Sequence, residues 1–233
     1  MNTSTAIRYY GRRKGKPLKA GRQSLLETVL PQIRITLPKN AYDLDPRGFF
    51  LAEPKTVSLE IGFGSGEHLA AKAGANPEEG FIGCEVFLNG VASMTRHVSA
   101  QGLANVRIFD EDAHYLLPAL KAASLNRIFL LFPDPWPKSR HAKRRFISPK
   151  MLSDLARVLV DGGELRIASD HPVYVRWALL HGTGHPSFEW TAKGPECWRE
   201  RPADSVATRY EEKARQEGRP PIFLSFRRHP RDS

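Results

Sequence analysis

The sequence predicts an α/β chain built on a doubly wound, mostly parallel sheet with a late antiparallel strand. Three observations predict it. From Lys55 onward, short β-branched or apolar runs alternate with stretches of helical periodicity, the pattern of a parallel sheet covered on both faces. The first run passes into a glycine loop, Gly62-Phe63-Gly64-Ser65-Gly66. An acidic residue stands at or soon after each run: Glu60, Glu85, Asp112, Asp134 and Asp170. Right-handed crossovers leave the carboxyl ends of such strands along one edge, where ligands bind. The sheet is therefore expected to be Rossmann-like, with carboxylates lining its ligand edge.

Taken in order, Thr56–Ile61 is the first strand and Glu67–Ala73 a helix after the glycine loop. Phe81–Glu85 is the second strand. Asn89–Gln101 is a helix with Val91, Thr95 and Val98 on one face, and Gly102 sits where a C-terminal cap belongs. Val106–Asp110 is the third strand and Tyr115–Ala123 a helix. Arg127–Phe132 is a fourth strand, apolar enough to be buried on both faces. Ser148-Pro149 opens the next helix, Ser as cap and Pro in the first turn, with Leu152, Leu155, Ala156 and Leu159 as its inner stripe. Gly162-Gly163 stops it before the fifth strand, Glu164–Ser169, and a helix over Pro172–His181 follows. Phe188–Thr191 and Ile222–Phe226 read as late strands around a helix near Thr208–Glu217.

The chain has 233 residues, 41% of them hydrophobic, so it can bury a core without disulfide or metal. Its two cysteines, Cys84 and Cys197, have neither CxxC nor zinc spacing; they read as reduced thiols of a cytoplasmic protein. His68, His97, His114 and His185 lack partners at ligand spacing, so no metal site is expected. No apolar run is long enough to span a bilayer, and the N-terminus has no apolar signal core. The formal net charge is +10, which suggests an anionic partner such as nucleic acid. Part of that charge sits in the first 23 residues, which hold Arg8, Arg12, Arg13, Lys14, Lys16, Lys19 and Arg22 and no acid. The expected organisation is a flexible basic arm over 1–24 and one Rossmann-like domain over 25–233, with an irregular lead-in over 25–55.

The glycine loop does not match a dinucleotide fingerprint. Counting from Gly62, the sixth position is Glu67 where that pattern has glycine. Glu67 also puts negative charge at a helix N-terminus, where a pyrophosphate would sit. Both features argue against a nicotinamide cofactor and for a phosphate-free, cationic one. S-adenosylmethionine fits, with its sulfonium and ammonium. Glu60 is then placed for the methionyl part, Glu85 for the ribose hydroxyls, and Asp112 for the adenine amino group; Gly62, Gly64 and Gly66 allow close backbone approach. Simple capping or pairing at helix starts is the competing account of Glu60 and Asp112.

After the fourth strand comes Pro133-Asp134-Pro135-Trp136-Pro137-Lys138-Ser139-Arg140-His141-Ala142-Lys143-Arg144-Arg145. Three prolines stiffen it, as suits a residue held in one pose, Asp134. Trp136 offers an aromatic face to a base. Lys138 and the run that follows supply phosphate contacts, if the run is not a solvated face. Farther on, Thr208 and Glu211 have the spacing of a capping box, which explains them as well as substrate contact does.

This pattern resembles the tRNA (guanine-N7-)-methyltransferase family, of the class I, S-adenosylmethionine-dependent type, from about Leu59 to the C-terminus. The resemblance rests on LEIGFGSG, GCEV, the Asp112 position, FPDPWPKSRHAKRR, Ser169-Asp170 and Thr208-Arg209-Tyr210-Glu211. It implies methyl transfer to guanine N7 in tRNA, with the variable loop as target. It assigns Glu60, Gly62, Gly64, Gly66, Glu85, Asp112 and Asp134 to the cofactor, Asp134 being catalytic as well. Lys138, Asp170, Thr208, Arg209, Tyr210 and Glu211 fall to the substrate base, and Arg140, His141, Lys143, Arg144 and Arg145 to RNA. The partners implied are tRNA and no membrane, with the enzyme acting as monomer or homodimer. His171 departs from the aromatic residue frequent after the Ser-Asp pair, and Tyr210 stands where Phe is usual. Guanine N7 carries a free lone pair, so it can attack the sulfonium methyl in line without losing a proton; Asp134 then orients and assists, and whether it also acts as a base stays open. A methyltransferase of another RNA or of a small molecule is one alternative, a non-enzymatic RNA-binding module another. The basic run argues against a small-molecule enzyme, and the intact acids at every strand end against the module.

Overall fold

The computed structural model describes residues 13–231. Seven strands form one sheet: β1 Thr56–Ile61, β2 Glu79–Cys84, β3 Val106–Phe109, β4 Leu125–Leu131, β5 Leu159–Ser169, β6 Phe188–Trp190 and β7 Ile222–Arg228. Their order is β3-β2-β1-β4-β5-β7-β6. The first five run parallel, and β7 lies antiparallel to both β5 and β6. The expected doubly wound sheet with a late antiparallel strand is therefore present. Its order reverses between β1 and β4, which makes the ends of those two strands the topological switch point.

Nine α-helices accompany the strands among the described residues: α1 Ala20–Thr28, α2 Leu30–Ile33, α3 Glu67–Ala75, α4 Leu88–Gln101, α5 Ala113–Ala119, α6 Pro149–Val158, α7 Pro172–Thr183, α8 Glu196–Arg199 and α9 Arg209–Gln216. Alternation decides which face each strand residue serves. Phe81 joins a core cluster with Leu69, Val91 and Met94 of α3 and α4, while its neighbour Ile82 joins another with Leu116, Leu152, Leu155 and Tyr174 of α5 to α7. Burial of these apolar faces in two layers over one sheet holds the fold together.

The local signals did their work where they were strongest. Ser148 accepts a hydrogen bond from the Met151 N–H at 3.2 Å, with Pro149 in the first turn. Gly102 ends α4 at φ +64°, a left-handed cap. Several boundaries moved by a few residues, two of them for a visible reason. The helix expected over Tyr115–Ala123 is α5, Ala113–Ala119; it starts earlier because Asp112 caps it, and Pro118 lies in its last turn. The helix opened by Ser148 ends at Val158, so Leu159 begins β5 and does not belong to the helical stripe. Gly162-Gly163 lies inside that strand, where the β4–β5 register shifts between Leu125 and Arg127, as glycine in a strand often marks.

The arm expected over 1–24 lies outside the described residues as far as residue 12. From Arg13 it runs along the start of α4. The Leu88 N–H donates to the Arg13 carbonyl (2.9 Å), the Gly15 N–H to Asn89 Oδ1 (2.8 Å), and Asn89 Nδ2 to the Lys16 carbonyl (2.8 Å). It then enters α1, which packs on α4. No helix among the described residues is long and apolar enough to cross a membrane.

Candidate functional site

The glycine loop leaves β1 at the switch point. Gly62, Gly64 and Gly66 have φ of +72°, +57° and +81°, a region that glycine reaches without strain. The direction a side chain would take from Gly62 is open, with nothing within 4 Å, so the loop presents a bare concave backbone. Gly90, in the first turn of α4, packs against the Gly64 carbonyl so closely that a Cβ would collide with it. That glycine lets α4 approach the loop, and the sequence reading missed it; an isolated glycine within a helical pattern was the signal.

Around this loop stand the predicted acids. Glu85 accepts from the Gly64 N–H (2.8 Å) and the Phe87 N–H (2.9 Å). Burial pushes its carboxyl up, those backbone donors hold it back, and the charge of Asp134 adds to the upward push. Asp112 caps α5 through the His114 N–H (3.0 Å) and pairs with His114 Nδ1 (2.6 Å). Burial tends to raise the Asp112 carboxyl, but His114 and then the charge of Arg13 outweigh it and hold it below its ordinary value. Glu60 is buried and pairs with His68 Nδ1 at 2.7 Å. The pairing and capping roles considered for Glu60 and Asp112 are thus both seen. Each acid still has oxygens to spare for a ligand.

The Phe132–Trp136 loop leaves β4 on the other side of the switch point. Phe132 and Trp136 have φ of +52° and +40°, unfavourable for residues with a Cβ and worth about 1–3 kcal/mol each. Between these two strained residues Asp134 stands exposed. Arg145 holds the loop. Its guanidinium donates to the carbonyls of Pro135 (3.3 Å) and Trp136 (3.0 Å) and lies over the Trp177 ring. Tyr210 closes the arrangement. Its ring edge comes within 3.1 Å of a Cβ built on Gly64, and burial, followed by the charges of Glu85 and Asp134, raises its phenol. Glu85, Tyr210 and the glycine loop therefore meet at one place, near enough to Asp134 for its charge to act on both side chains.

Beside them a cavity lies between the ends of β4 and β5 and the 201–211 segment; His68, Phe132, Arg166, Arg201, Thr208 and Glu211 line part of it. Thr208 Oγ1 accepts from the Glu211 N–H (3.1 Å). Only this half of the expected capping box forms, because the Glu211 carboxylate goes to Arg215 (3.0 Å). Lys72 and Arg166 both pair with Asp204 (3.0 and 2.6 Å), pinning the segment that leads into Thr208.

A family model described as "Putative methyltransferase" matches residues 54–224. A tRNA (guanine-N(7)-)-methyltransferase of Rhodospirillum rubrum is 57% identical over 226 residues, 96% of this chain and 89% of the relative. One from Paramagnetospirillum magneticum is 51% identical over 96% of this chain and 94% of its own. The chain belongs to the tRNA (guanine-N(7)-)-methyltransferase family. The resemblance carried by the sequence motifs is borne out. Two solved structures share the fold at low identity: a 16S rRNA methyltransferase, KamB (TM-score 0.53, 15% identity, 76% of this chain and 89% of that one), and the aminoglycoside resistance methyltransferase NpmB1 (TM-score 0.52, 16% identity, 75% and 88%).

In this member of the family, the remaining expected residues fall into separate places. Arg140 and Lys143 are exposed on a 3₁₀ turn, Ser139–Arg144, and Lys138 is exposed just before it. His141 is on the same turn; desolvation, then the charges of Arg144, Arg140 and Lys138, hold its imidazole below the ordinary value. Arg144 lies over the Trp136 ring (4.8 Å), covering a face expected to be open for a base. Arg145 differs from expectation: it is buried, and its donors are taken by the loop carbonyls, so it does not present itself to RNA. Asp170 does not line the cavity with Thr208 and Glu211; it pairs with Arg219 (2.8 Å). His171 replaces the frequent aromatic residue and caps α7, its Nδ1 accepting from the Val173 N–H (3.3 Å). Arg209 reaches Glu67 at 4.0 Å. Among the described residues no cluster of His, Cys, Asp and Glu is arranged to hold a metal ion.

Proposed function

We propose that this chain transfers a methyl group from S-adenosylmethionine to N7 of a guanine in tRNA, with the variable loop as the target region. The observation that carries the reading is the meeting of the glycine loop, Glu85 and Tyr210 at the switch point, within reach of the charge of Asp134, in a chain whose relatives bear that name. The residues fit the cofactor. The open backbone at Gly62 is a cradle, and the donor set is one of carboxylates, suited to a sulfonium, an ammonium and ribose hydroxyls and hostile to phosphate. When bound, S-adenosylmethionine supplies an electrophilic methyl on a sulfonium.

The chain does the rest. Glu85 accepts from the ribose, Asp112 from the adenine amino group, and Glu60 from the methionyl ammonium. Glu211 and Thr208, at the cavity, hold the guanine edge that carries N1–H and the amino group, turning N7 toward the methyl; Asp170, Arg209 and Tyr210 contact the substrate from outside that cavity, Tyr210 from beside the glycine loop. N7 brings its own lone pair, so no residue need take a proton from it. Asp134 orients the base and offsets the positive charge that the ring gains, and most of the acceleration is positioning. Lys138, Arg140, His141, Lys143 and Arg144 hold phosphates, with the exposed cations Lys14, Lys16, Lys19 and Arg22 across the site.

Purified protein, labelled S-adenosylmethionine and unmodified bulk tRNA test this. Label should enter RNA, and reduction followed by aniline should cleave it at one position in the variable loop. Label without cleavage would remove N7; no label with tRNA would remove the substrate.

A further inference from the structure

His68, paired with the buried Glu60, has no part in the reaction as described. Glu60 is the penultimate residue of β1, and His68 the second of α3, so the glycine loop folds back to bring them together. Their side chains are 4% and 2% exposed, with His68 Nδ1 at 2.7 Å from Glu60 Oε2. The imidazole packs edge-on to Phe129 at 4.9 Å. Its other nitrogen, Nε2, is buried without a hydrogen-bond partner, and the ring forms part of the cavity wall near Thr208 and Glu211.

A pair of this kind is a poor way to build a core. Burying a carboxylate costs several kcal/mol unless hydrogen bonds and charge offset it, and an apolar pair of equal volume is commonly as stable. An orphaned ring nitrogen adds to the cost. What the arrangement does provide is orientation. A carboxylate accepts and cannot donate, so the hydrogen between the two belongs to Nδ1. That bond ties down Oε2, fixes the plane of the carboxylate and leaves Oε1 uncommitted. A histidine holding a ligand-binding carboxylate through one ring nitrogen is the same device that orients ligands around metals.

We propose that His68 is a positioning residue for the cofactor's methionyl end: its Nδ1–H fixes the Glu60 carboxylate so that the free oxygen meets the ammonium. This rests on S-adenosylmethionine being the cofactor and on Glu60 being its contact. The inference gives His68 no part in methyl transfer itself.

Calorimetric titration of the full chain with two ligands tests it. S-adenosylhomocysteine carries the amino acid end; methylthioadenosine shares the nucleoside and thioether and lacks it. His68→Phe keeps a ring against Phe129 and removes the donor. It should weaken S-adenosylhomocysteine by at least about tenfold, the loss of one charge-assisted hydrogen bond, while methylthioadenosine changes by less than about twofold. His68→Asn, which keeps an N–H donor, should recover part of the loss. Adding Glu60→Gln to His68→Phe should cost little more than either change alone. Equal weakening of both ligands would make His68 part of the packing only, and no weakening of either would make it irrelevant; both overturn the proposal. Should His68→Phe not fold, the wild-type chain with nitrogen-labelled histidine decides. The His68 ring resonances should move with S-adenosylhomocysteine and stay with methylthioadenosine, and identical shifts overturn the proposal. If wild type binds neither ligand, the cofactor reading itself falls; if it binds both and His68→Phe does not discriminate, that reading stands and this one fails.

Discussion

Asp134 stands exposed between two residues held at positive φ, Phe132 and Trp136. Backbone in such conformations persists only where its surroundings over-determine it, and here Arg145 does so by binding the loop carbonyls. Backbone held this firmly fixes where the Asp134 carboxylate is presented. Asp134→Asn keeps the shape and removes the charge, so kcat should fall by about 10²–10³ with both substrates saturating, as for loss of one preorganised electrostatic group. Full turnover in that variant would end the role. Glu85 makes a second prediction. Its folded carboxyl is raised by burial, so as the pH falls it takes up a proton sooner than an exposed glutamate, whose value is about 4.3. Ribose hydroxyls need the ionised form as acceptor. The affinity for S-adenosylhomocysteine should therefore be full at pH 7 and begin to fall toward pH 5. Glu85→Gln should bind weakly at every pH, with that part of the slope gone; an unchanged slope would place the titration elsewhere. The same shift has a sign for stability. An acid raised in the folded state stabilises the fold when protonated and costs stability when ionised, so without ligand this site works against the fold at neutral pH.

At the scale of elements, the glycine loop and the start of α4 act together. Gly90 lets α4 approach the Gly64 carbonyl, and Glu85, just before that helix, holds the Gly64 N–H. The loop is gripped from one side by carboxylate and helix. Gly90→Ala puts a methyl where the carbonyl lies, and relieving the clash means shifting α4 or the loop, about 1–3 kcal/mol as overpacking. The expected outcome is a lower Tm together with weaker S-adenosylhomocysteine binding, measured by thermal melts with and without ligand. A lower Tm with unchanged affinity would show that the loop is not set by this contact. The 201–208 segment is held by a different means. Lys72 and Arg166 converge on Asp204 and, despite the opposing effect of burial, hold its carboxyl well below the usual range. Thr208 and Glu211 at the cavity depend on that anchor for their place.

For the whole molecule, charge sets the partner. Part of the net charge of +10 is carried by the 3₁₀ turn after Asp134 and by the segment along the start of α4, whose Gly90 packs on the glycine loop. Binding to tRNA should weaken by at least about 1,000-fold between 50 and 200 mM salt if roughly six or more phosphates are neutralised. Replacing Lys16, Lys19 and Arg22 together by Gln should lower the slope of log K against log salt by about three. A slope unchanged by that substitution would confine the RNA to the other side. Methyl transfer to tRNA, followed by filter binding at several salt concentrations, checks both.

The sequence by itself determined the sheet, its late reversal, the helix caps at Ser148 and Gly102, the glycine loop and the family. These are written in periodicity, in proline and glycine and in short motifs, all of which act through a few neighbouring residues. It also brought Glu85 and Asp134 to one edge, because parallel topology alone places strand ends together. What the tertiary structure decided are the partners. Arg219 meets Asp170 across 49 residues of chain, Lys72 meets Asp204 across 132, and His68 meets Glu60 across the glycine loop. Arg145 turned inward although it ends a basic run, because the carbonyls of a strained loop and the Trp177 ring lie beneath it. No local pattern encodes such pairings: each depends on where two segments arrive once the chain has folded, and on burial that makes an unpaired charge too costly to leave.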